Sequence, residues 1–550
     1  MNLPTPAIVA ERGAQRLPRL ALLLLCAAYV LPGLFGRDPW RNADLTAFGF
    51  MASIAQGHAP WWEPAIAGIP AEGGPLPFWL GALAIKALPF LDPALAARLP
   101  FAAVLLLVFT LVWYSTFHLA RTEAAQPVAF AFGGEAQATD YARAMADGAL
   151  LALMASLGLL MLGHETTPEL LQLLACAIYL YGLAVAPYNA WKARLAVLLS
   201  LPMLAASGAP AVAMLYAGLG AWLCQRSSYD DVRGLTLWVL GAGLLSALSA
   251  WTFNAWAWRV DMPGTAEFGL ELLSQFGWFC WPAWPLALWT LWRWRHHWPR
   301  RHILLPLIVF AVPMAASIAM NGSDRALLLC LPPLALLAAF ALPTLKRSFA
   351  AAVDWFSVFF FSAVALFFWA YYLSMQQGWP PKLLANLQRL AQGFEPSFHP
   401  VALLVGAAAT LAWLALVRWR TSRHQHAVWK SLALPAGGVT LAWLLAMTLM
   451  LPPLDYARSN RPLIERLRAQ LPTTVNCIAA PGQAMSLLAA LEFQGGWRVD
   501  ARRPLVVTQC THALRYVQGQ EAPPAGWRLL ARVKRPTDRG EQGYLLLARQ

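Results

Sequence analysis

The chain has 550 residues, of which 59% are hydrophobic and only 12% are charged. Soluble domains carry about 25% charged residues and are roughly half apolar. A soluble chain of this length would also show polar linkers between its domains, yet apolar runs recur through the first 450 residues and are broken only by short clusters of Arg, Lys and Trp. These features exclude a soluble enzyme, a disordered scaffold and a coiled coil. They predict a polytopic membrane protein.

Thirteen apolar segments are each long enough to cross a hydrocarbon core of about 30 Å when some are tilted or short. They lie near residues 20–35, 99–119, 148–163, 169–187, 194–208, 210–225, 235–252, 277–292, 303–320, 326–344, 355–374, 400–417 and 431–452. We therefore predict an all-α polytopic membrane domain over residues 1–452. The first segment is not a cleaved signal peptide, because no small-residue cleavage site precedes the polar residues 37–40.

The basic residues predict the orientation of these segments. Of 41 Lys and Arg residues, 27 lie among the apolar segments, and 19 of those fall on one side if the N-terminus is cytoplasmic, against 8 on the other. The positive-inside rule then places the N-terminus in the cytoplasm and residues 453–550 outside. The densest cytoplasmic clusters are Arg293, Arg295, Arg300, Arg301 and Arg418, Arg420, Arg423, Lys430. Because the net charge of +14 is spread over loops of a membrane protein, nucleic acid is not expected as a partner.

The last hundred residues differ in pattern from the rest of the chain. An amphipathic helix is predicted at 460–471 and a second helix at 483–493. Short strands are predicted at Val475–Ala479, Leu505–Thr508, Trp527–Val533 and Tyr544–Ala548. This mixture predicts a small α/β domain at 453–550.

Cysteine usage fits an exported tail. Five of the 7 cysteines lie in or beside apolar segments, and only Cys477 and Cys510 lie in the tail, each near a predicted strand. An oxidising compartment favours a disulfide between them, although two unpaired thiols remain an alternative. No Cys/His metal spacing, P-loop or Rossmann glycine pattern occurs in the sequence.

Residues 36–98 form a long first outward loop that holds the best candidates for chemistry. Carboxylates at the mouth of a helix bundle, beside arginine and aromatic residues, are costly to place there without a function. Asp38 or Asp44 could accept a proton from an acceptor hydroxyl or amine. Arg41 could hold a phosphate with its planar fork, and Glu72, flanked by proline and glycine, could orient a sugar or a cation. The alternative for Asp38 is a helix N-cap before a proline in the first turn.

This loop resembles that of the GT-C glycosyltransferases, most closely the aminoarabinose transferase and protein O-mannosyltransferase-like enzymes. Their loop reads Asp-Glu-x-Arg-Tyr-Ala-Glu and then Glu-Lys-Pro-Pro-Leu-x-Tyr-Trp. Here residues 38–44 read DPWRNAD and residues 72–79 read EGGPLPFW. Residues 96–100, AARLP, are similar to the lead into the family's second span, and residues 331–337, LPPLALL, are similar to its late helix.

The resemblance implies inverting transfer of a sugar from a polyprenyl-phosphate carrier to an acceptor at the outer face of the membrane. It places Asp38 near the reacting centre, with Asp44 and Glu72 as the further acids of the motif, and gives phosphate contact to Arg41. No cofactor is required by the sequence, and a divalent cation remains possible.

The chain departs from the family pattern in the block that resembles Glu-Lys-Pro-Pro. The Lys of that block is Gly73 in this chain, and the following Pro is Gly74. Arg37, Arg98 or Arg325 would then have to supply the missing positive charge. In the second outward loop, Glu165 or Glu169 is the counterpart of a family acid, and a capped helix start with acids in its first turn is the alternative for both.

We therefore expect a glycosyltransferase of the bacterial inner membrane, with a polyprenyl-phosphate sugar donor, a lipid, glycan or protein acceptor, and membrane lipids as partners. Two other classes remain open: a non-catalytic carrier or translocator of lipid-linked sugars, and a structural subunit of an envelope-assembly complex. Because the acids concentrate in an outward loop rather than at mid-membrane, transfer is favoured over transport.

Overall fold

The structure, a computed structural model, describes residues 5–256, 260–261, 266–422, 427–538 and 540–550. Arg423, one of the basic residues used to predict the orientation, lies outside the described residues. The described residues divide into two compact units, one within the ranges 5–32, 101–366 and 404–445, the other within 33–100, 367–403 and 446–550.

Most of the described chain is helical. The α-helices are, in chain order, α1 Arg19–Val30, α2 Ala43–Ala55, α3 Leu76–Ala87, α4 Pro93–Ala120, α5 Ala138–Ala155, α6 Leu157–Leu162, α7 Pro168–Val185, α8 Ala190–Ala206, α9 Pro210–Gln225, α10 Asp230–Arg233, α11 Thr236–Thr252, α12 Ala266–Phe279, α13 Ala283–Arg293, α14 Arg301–Ala319, α15 Asp324–Leu328, α16 Leu331–Ala341, α17 Arg347–Gln377, α18 Pro381–Leu390, α19 Pro400–Thr421, α20 Lys430–Ala446, α21 Leu451–Arg458, α22 Arg461–Gln470 and α23 Met485–Phe493. The strands are β1 Ala65–Ile66, β2 Ile69–Pro70, β3 Cys477–Ala479, β4 Arg498–Asp500, β5 His512–Gln518, β6 Trp527–Val533 and β7 Gln542–Arg549.

The first unit is an assembly of apolar helices. Helix α7 packs on α8, α8 on α11, and α16 lies against both α5 and α13. Every residue of α16 is buried, as expected of a helix that is apolar on all sides and surrounded by others. The core of this unit therefore lies around α16.

All thirteen predicted spans overlap helices of the structure. Among the described residues, six helices are long and apolar enough to cross a membrane by themselves, and α20 with α21, bent by 72°, makes a seventh when counted as one broken span. The number of thirteen crossings remains a prediction, since several of the other helices are shorter.

Two predicted spans are interrupted. The segment near 148–163 breaks at Ser156, whose hydroxyl donates to the carbonyl of Ala152 at 3.0 Å. The segment near 277–292 breaks between α12 and α13, beside Pro282, which has no N–H to continue a helix. The two breaks meet, because the backbone N–H of Leu157 donates to the carbonyl of Trp281 at 3.1 Å. Each break thus satisfies a backbone group that the other leaves open.

The second unit combines the first loop with the tail. The hairpin of β1 and β2 turns at Ala67 and Gly68, which have φ angles of 51° and 76°, as a two-residue hairpin turn requires. Helix α2 packs on α3 and on α23. Gly49 of α2 makes the second contact possible, since a Cβ at that position would lie 2.5 Å from the Cβ of Ala489.

The tail contains a five-stranded mixed sheet in the order β4-β3-β5-β7-β6. Strand β3 pairs parallel with β4 and β5, while β7 pairs antiparallel with β5 and β6. The predicted helices at 460–471 and 483–493 are confirmed as α22 and α23, and the predicted strand Trp527–Val533 is confirmed as β6. The strands predicted at Val475–Ala479 and Tyr544–Ala548 correspond to β3 and β7.

The strand predicted at Leu505–Thr508 is wrong. These residues begin a turn in which the N–H groups of Val507 and Thr508 both donate to the carbonyl of Pro504. Val506 and Val507 are 83% and 66% exposed. Their apolar side chains favour a strand by composition, but they do not pack against the sheet. The strand that pairs with β3 and β7 is instead β5, which begins at His512.

Cys477 and Cys510 are joined by a disulfide with their Cα atoms 5.2 Å apart. Cys477 begins β3, and Cys510 lies two residues before the neighbouring strand β5. The bond therefore ties the start of one strand to the start of its parallel neighbour. Their surroundings are apolar, with Ala513, Val517 and Leu547 in the same buried cluster.

Candidate functional site

Asp38 lies in the loop before α2 and is held by residues of the tail. Its carboxylate accepts two hydrogen bonds from the guanidinium of Arg461, at 2.6 and 2.8 Å, and one from the hydroxyl of Ser459 at 2.8 Å. Burial raises the pKa of Asp38, but the hydrogen bonds from Arg461 and Ser459 outweigh it, so the pKa is lower than usual. Asp38 is not a helix N-cap, because α2 begins five residues later at Ala43. The carboxylate is therefore ionised at neutral pH.

Asp455 fixes the backbone beside Asp38. One of its carboxylate oxygens accepts the backbone N–H of Asp38 at 3.0 Å and the indole N–H of Trp40 at 2.9 Å. The guanidinium carbons of Arg37 and Arg458 lie 4.6 and 4.9 Å from the centroid of the Trp40 ring, within cation–π range. The Trp40 side chain is thus held from several directions at once.

Asp44 and Arg37 form a buried pair next to this aromatic ring. Asp44 lies in the first turn of α2 and is 1% exposed. Its carboxylate accepts the backbone N–H of Trp40 at 3.1 Å and a guanidinium N–H of Arg37 at 3.5 Å. A carboxylate in the first helical turn is also favoured by the helix dipole. Asp44 therefore holds the loop and Arg37 in place.

Arg98, in α4, completes the cluster. It is 4% exposed, and one guanidinium nitrogen donates to the carbonyl of Arg37 at 2.6 Å. Its second terminal nitrogen is buried without a hydrogen-bond partner among the described residues. Arg98 interacts electrostatically with Asp38, Asp44 and Asp455. An unfilled buried donor of this kind suits an oxygen atom of an anionic ligand.

The charges of this cluster, which we call the first-loop cluster, are positive overall. Four guanidinium groups meet three carboxylates. The members are Arg37, Arg98, Arg458, Arg461, Asp38, Asp44 and Asp455. Arg and phosphate form strong, directional pairs, so the excess of guanidinium groups favours a phosphate over a cation.

Arg41 and Glu72 lie in the same unit but are not tied into that network by their side chains. The backbone N–H of Arg41 donates to the carbonyl of Arg458 at 2.9 Å, and its guanidinium reaches the hydroxyl of Thr537 at 3.4 Å. Glu72 lies exposed between β2 and α3, and it makes no hydrogen bond or ion pair with other described residues. It is thus available to a ligand.

Gly73, which follows Glu72, explains the departure from the family pattern. Its φ angle is 101°, a value that a lysine rarely adopts. The turn that presents Glu72 is therefore built on a glycine, and a phosphate-binding lysine at this position would require a different turn.

Glu165, Glu169 and Arg325 come together in the other unit. One guanidinium nitrogen of Arg325 lies 2.8 Å from Glu165, and the other lies 3.3 Å from Glu169. Burial lowers the pKa of Arg325, but the two carboxylates outweigh it and raise the pKa above its usual value. Helix α7 begins at Pro168 as expected, yet the hydroxyl of Thr167 does not cap it. Glu165 and Glu169, which lie just before and within the first turn of α7, therefore form ion pairs with Arg325.

Within the described ranges, no three side chains of His, Cys, Asp or Glu are grouped as a metal ion would need. The three carboxylates of the first-loop cluster are instead each occupied by guanidinium, indole or backbone donors.

The sequence did not identify the contribution of residues 455–461. Asp455, Ser459 and Arg461 are separated from Asp38 by more than 400 positions. One signal was present: charged residues follow the last apolar segment directly, at the point where the chain leaves it. The sequence predicts Arg37 only as a substitute for the missing lysine, whereas in the structure Arg37 contacts Asp44, Arg98 and Trp40.

The sequence matches no protein-family model and no curated protein. Solved structures do resemble the fold. The crystal structure of ArnT from Cupriavidus metallidurans bound to undecaprenyl phosphate aligns with a TM-score of 0.60 at 13% identity, covering 96% of each chain. The apo crystal structure of the same protein aligns with a TM-score of 0.60 at 14% identity and the same coverage.

This likeness extends over nearly the whole chain, including the apolar helices and the tail with its sheet. A similarity at this level of identity concerns the fold and not the chemistry. The chain is thus a polytopic, largely α-helical membrane protein with a small C-terminal α/β region, and its fold is similar to that of ArnT.

Proposed function

We propose that this protein is a membrane glycosyltransferase that moves a sugar from a polyprenyl-phosphate carrier to an acceptor at the periplasmic face of a bacterial inner membrane. Its fold is similar to that of ArnT, which has been crystallised with undecaprenyl phosphate. The observation that carries the proposal is the unfilled buried nitrogen of Arg98 within a cluster that has more guanidinium groups than carboxylates. Such a cluster matches a lipid phosphate.

Asp38 is the proposed base. An ionised carboxylate has about four lone-pair positions, and three are used here by Arg461 and Ser459. One position on Oδ1 remains for the N–H or O–H of an acceptor. Because the pKa of Asp38 is lowered, its carboxylate is ionised at neutral pH and has a lone pair for a proton. The same lowered pKa makes it a weak base. It therefore acts together with a good leaving group.

The reaction is a single displacement. The acceptor oxygen or nitrogen bonds to the anomeric carbon while the bond from that carbon to the phosphate oxygen breaks, and the electron pair leaves with the lipid phosphate. The acceptor proton passes to Asp38. Attack from the side opposite the leaving group inverts the anomeric centre. Arg98 and Arg41 stabilise the negative charge that grows on the phosphate.

The remaining site residues support these steps. Asp44 positions Arg37 through the buried pair. Glu72 is exposed and unpaired among the described residues, which suits hydrogen bonds to sugar hydroxyls. Glu165, Glu169 and Arg325 are proposed to contact substrate. The N-terminus is proposed to be cytoplasmic and residues 453–550 periplasmic, in line with the distribution of basic residues.

The test is transfer from a radiolabelled polyprenyl-phosphate sugar in membranes that contain the full-length protein. We expect Asp38→Asn to lower the transfer rate by roughly 10²- to 10⁴-fold, the range for loss of a general base. Glu72→Gln is expected to raise KM for the donor. Glu63→Gln is the matched control, since Glu63 is an exposed carboxylate of the same loop.

Unchanged transfer in both Asp38→Asn and Glu72→Gln would contradict the assignment of the site. Absence of transfer with every donor tried, from a wild-type protein that still binds polyprenyl phosphate, would contradict the transferase and favour a carrier of lipid-linked sugars.

A further inference from the structure

A cavity lies in the helical unit, among residues that the proposed reaction does not use. It has a volume of about 570 Å³, within the range of ordinary ligand sites. Its walls come from the ends of α7, α9 and α14 and from the connections beside them. These connections belong to the arginine-rich side of the chain that is predicted to be cytoplasmic. The cavity is therefore separate in sequence from the first-loop cluster.

Three arginines line this cavity: Arg226, Arg300 and Arg301. One guanidinium nitrogen of Arg301 donates to the carbonyl of Leu183 at 2.6 Å. Its Nε is buried and has no hydrogen-bond partner among the described residues. Arg301 also begins α14, so the positive end of that helix dipole lies at the same place. A half-buried guanidinium whose Nε is buried and unfilled, beside a helix N-terminus, favours an anion.

No Asp or Glu occurs among the described residues that line the cavity. The nearby Asp230 forms an ion pair with Arg233 instead. Arg226 and Arg301 therefore find no carboxylate partner within the lining, so the positive potential that they create favours an anion from outside the chain.

The rim of the cavity is aromatic. Trp222, Tyr229 and Trp298 are 40%, 38% and 47% exposed, and the guanidinium carbon of Arg226 lies 4.5 Å from the centroid of the Trp222 ring. Leucine side chains of α9 and α14 complete the wall. Aromatic rings beside basic groups and leucines are typical of the level where lipid headgroups meet acyl chains.

We propose that this cavity binds the phosphate of an anionic phospholipid from the surrounding leaflet. The phosphate lies between Arg226 and Arg301, and the glyceride portion lies against the aromatic rim. Basic pockets between the ends of membrane helices bind such headgroups, and the apolar wall favours a lipid over a free phosphate ion. The site is independent of the proposed sugar transfer.

The test is native mass spectrometry of the full-length protein, purified in a nonionic detergent and titrated with phosphatidylglycerol, with phosphatidylethanolamine, and with inorganic phosphate in a separate arm. We expect phosphatidylglycerol to bind the wild type at least about tenfold more tightly than phosphatidylethanolamine. Arg301→Gln and Arg226→Gln should each weaken it roughly tenfold, the factor for a lost charge-assisted hydrogen bond. Arg301→Lys, which keeps the charge but not the planar fork, should fall in between.

Arg418→Gln is the matched control, because it removes an exposed arginine from α19, on the same predicted side, but away from the cavity lining. Binding should be unchanged in this variant. Equal weakening by Arg418→Gln would overturn the proposal, since it would show attraction to overall charge. So would wild-type binding in both cavity variants, or binding of inorganic phosphate without preference for the anionic lipid. If Arg301→Gln fails to fold, the exposed Arg226 gives the same test.

Discussion

The pair between Asp38 and Arg461 makes a measurable contribution to stability. The perturbation is a double-mutant cycle of Asp38→Asn, Arg461→Gln and the double variant. Two charge-assisted hydrogen bonds at 2.6 and 2.8 Å join the side chains. Breaking a buried ion pair costs about 3–5 kcal/mol, whereas exposed pairs contribute about 0–1 kcal/mol. The side chain of Asp38 is 15% exposed and that of Arg461 is 57% exposed, so solvent screening reduces the coupling to about 1–2 kcal/mol.

The assay is thermal unfolding of the purified protein followed through the unit that contains both residues. A change of 1 kcal/mol shifts Tm by roughly 2–4 °C in a unit of this size. Each single variant should therefore unfold a few degrees below the wild type, and the double variant should lose less than the sum of the two. A coupling energy below about 0.5 kcal/mol would refute the view that the pair holds the loop to the tail.

The pH dependence of the coupling has a definite sign. The pKa of Asp38 is lowered in the folded protein from its ordinary value of 3.8. A carboxylate with a lowered folded pKa stabilises the protein above its unfolded pKa, and this stabilisation is lost as the pH falls through the folded pKa. The coupling should be complete at neutral pH and should shrink on acidification below about pH 4. A coupling that grows on acidification would contradict the assignment of an ionised Asp38.

Three further predictions concern other parts of the chain. Replacing Cys477 with serine should lower the free energy of unfolding of the tail by about 3–4 kcal/mol, from the 33-residue separation that the bond closes, and a gel shift on reduction of the wild type but not the variant would check the bond. Gly73→Lys should destabilise the loop by roughly 1–2 kcal/mol because of its φ angle of 101°, whereas Gly73→Asn should be milder; equal unfolding temperatures for glycine and lysine would contradict this. Arg325→Gln should destabilise the helical unit by about 2–4 kcal/mol, because Glu165 is 5% exposed and loses a counter-charge, and Arg325→Lys should recover part of the loss in a denaturation curve.

Hydropathy predicted the position of helices well, because the bilayer imposes one dominant requirement on each spanning segment. It could not predict the breaks at Ser156 and before Pro282, since apolar composition continues across both of them. A helix break inside an apolar run depends on a partner that satisfies the open backbone groups. Here the partner of Leu157 is the carbonyl of Trp281, and no local pattern indicates that pairing.

The tail shows the complementary error. Local β-propensity favoured a strand around Val506 and Val507, but strand formation depends on neighbours in the sheet rather than on propensity alone. Those residues are exposed, and the sheet uses β4 and β5 instead. Trp527–Val533 was predicted correctly because its alternation of apolar and polar residues persists over a longer stretch.

The acids of the candidate site could be selected from the sequence, but their surroundings could not. Asp38, Asp44 and Glu72 stood out as carboxylates in an outward loop. The structure distinguishes them by environment: Asp38 is ion-paired, Asp44 is buried, and Glu72 is exposed. These differences arise from long-range partners such as Asp455 and Arg461, which lie in another part of the chain.

The ties between Asp38 and residues 455–461 also constrain when the protein can mature. A ribosome that adds about 5–20 residues per second synthesises Asp38 roughly 20–85 seconds before Arg461, which is 423 positions away. During that interval Asp38 lacks the guanidinium of Arg461. A chain truncated before Ser459 would leave Asp38 without the hydroxyl and guanidinium that hold it. The candidate site is therefore complete only when the chain has been synthesised through Arg461.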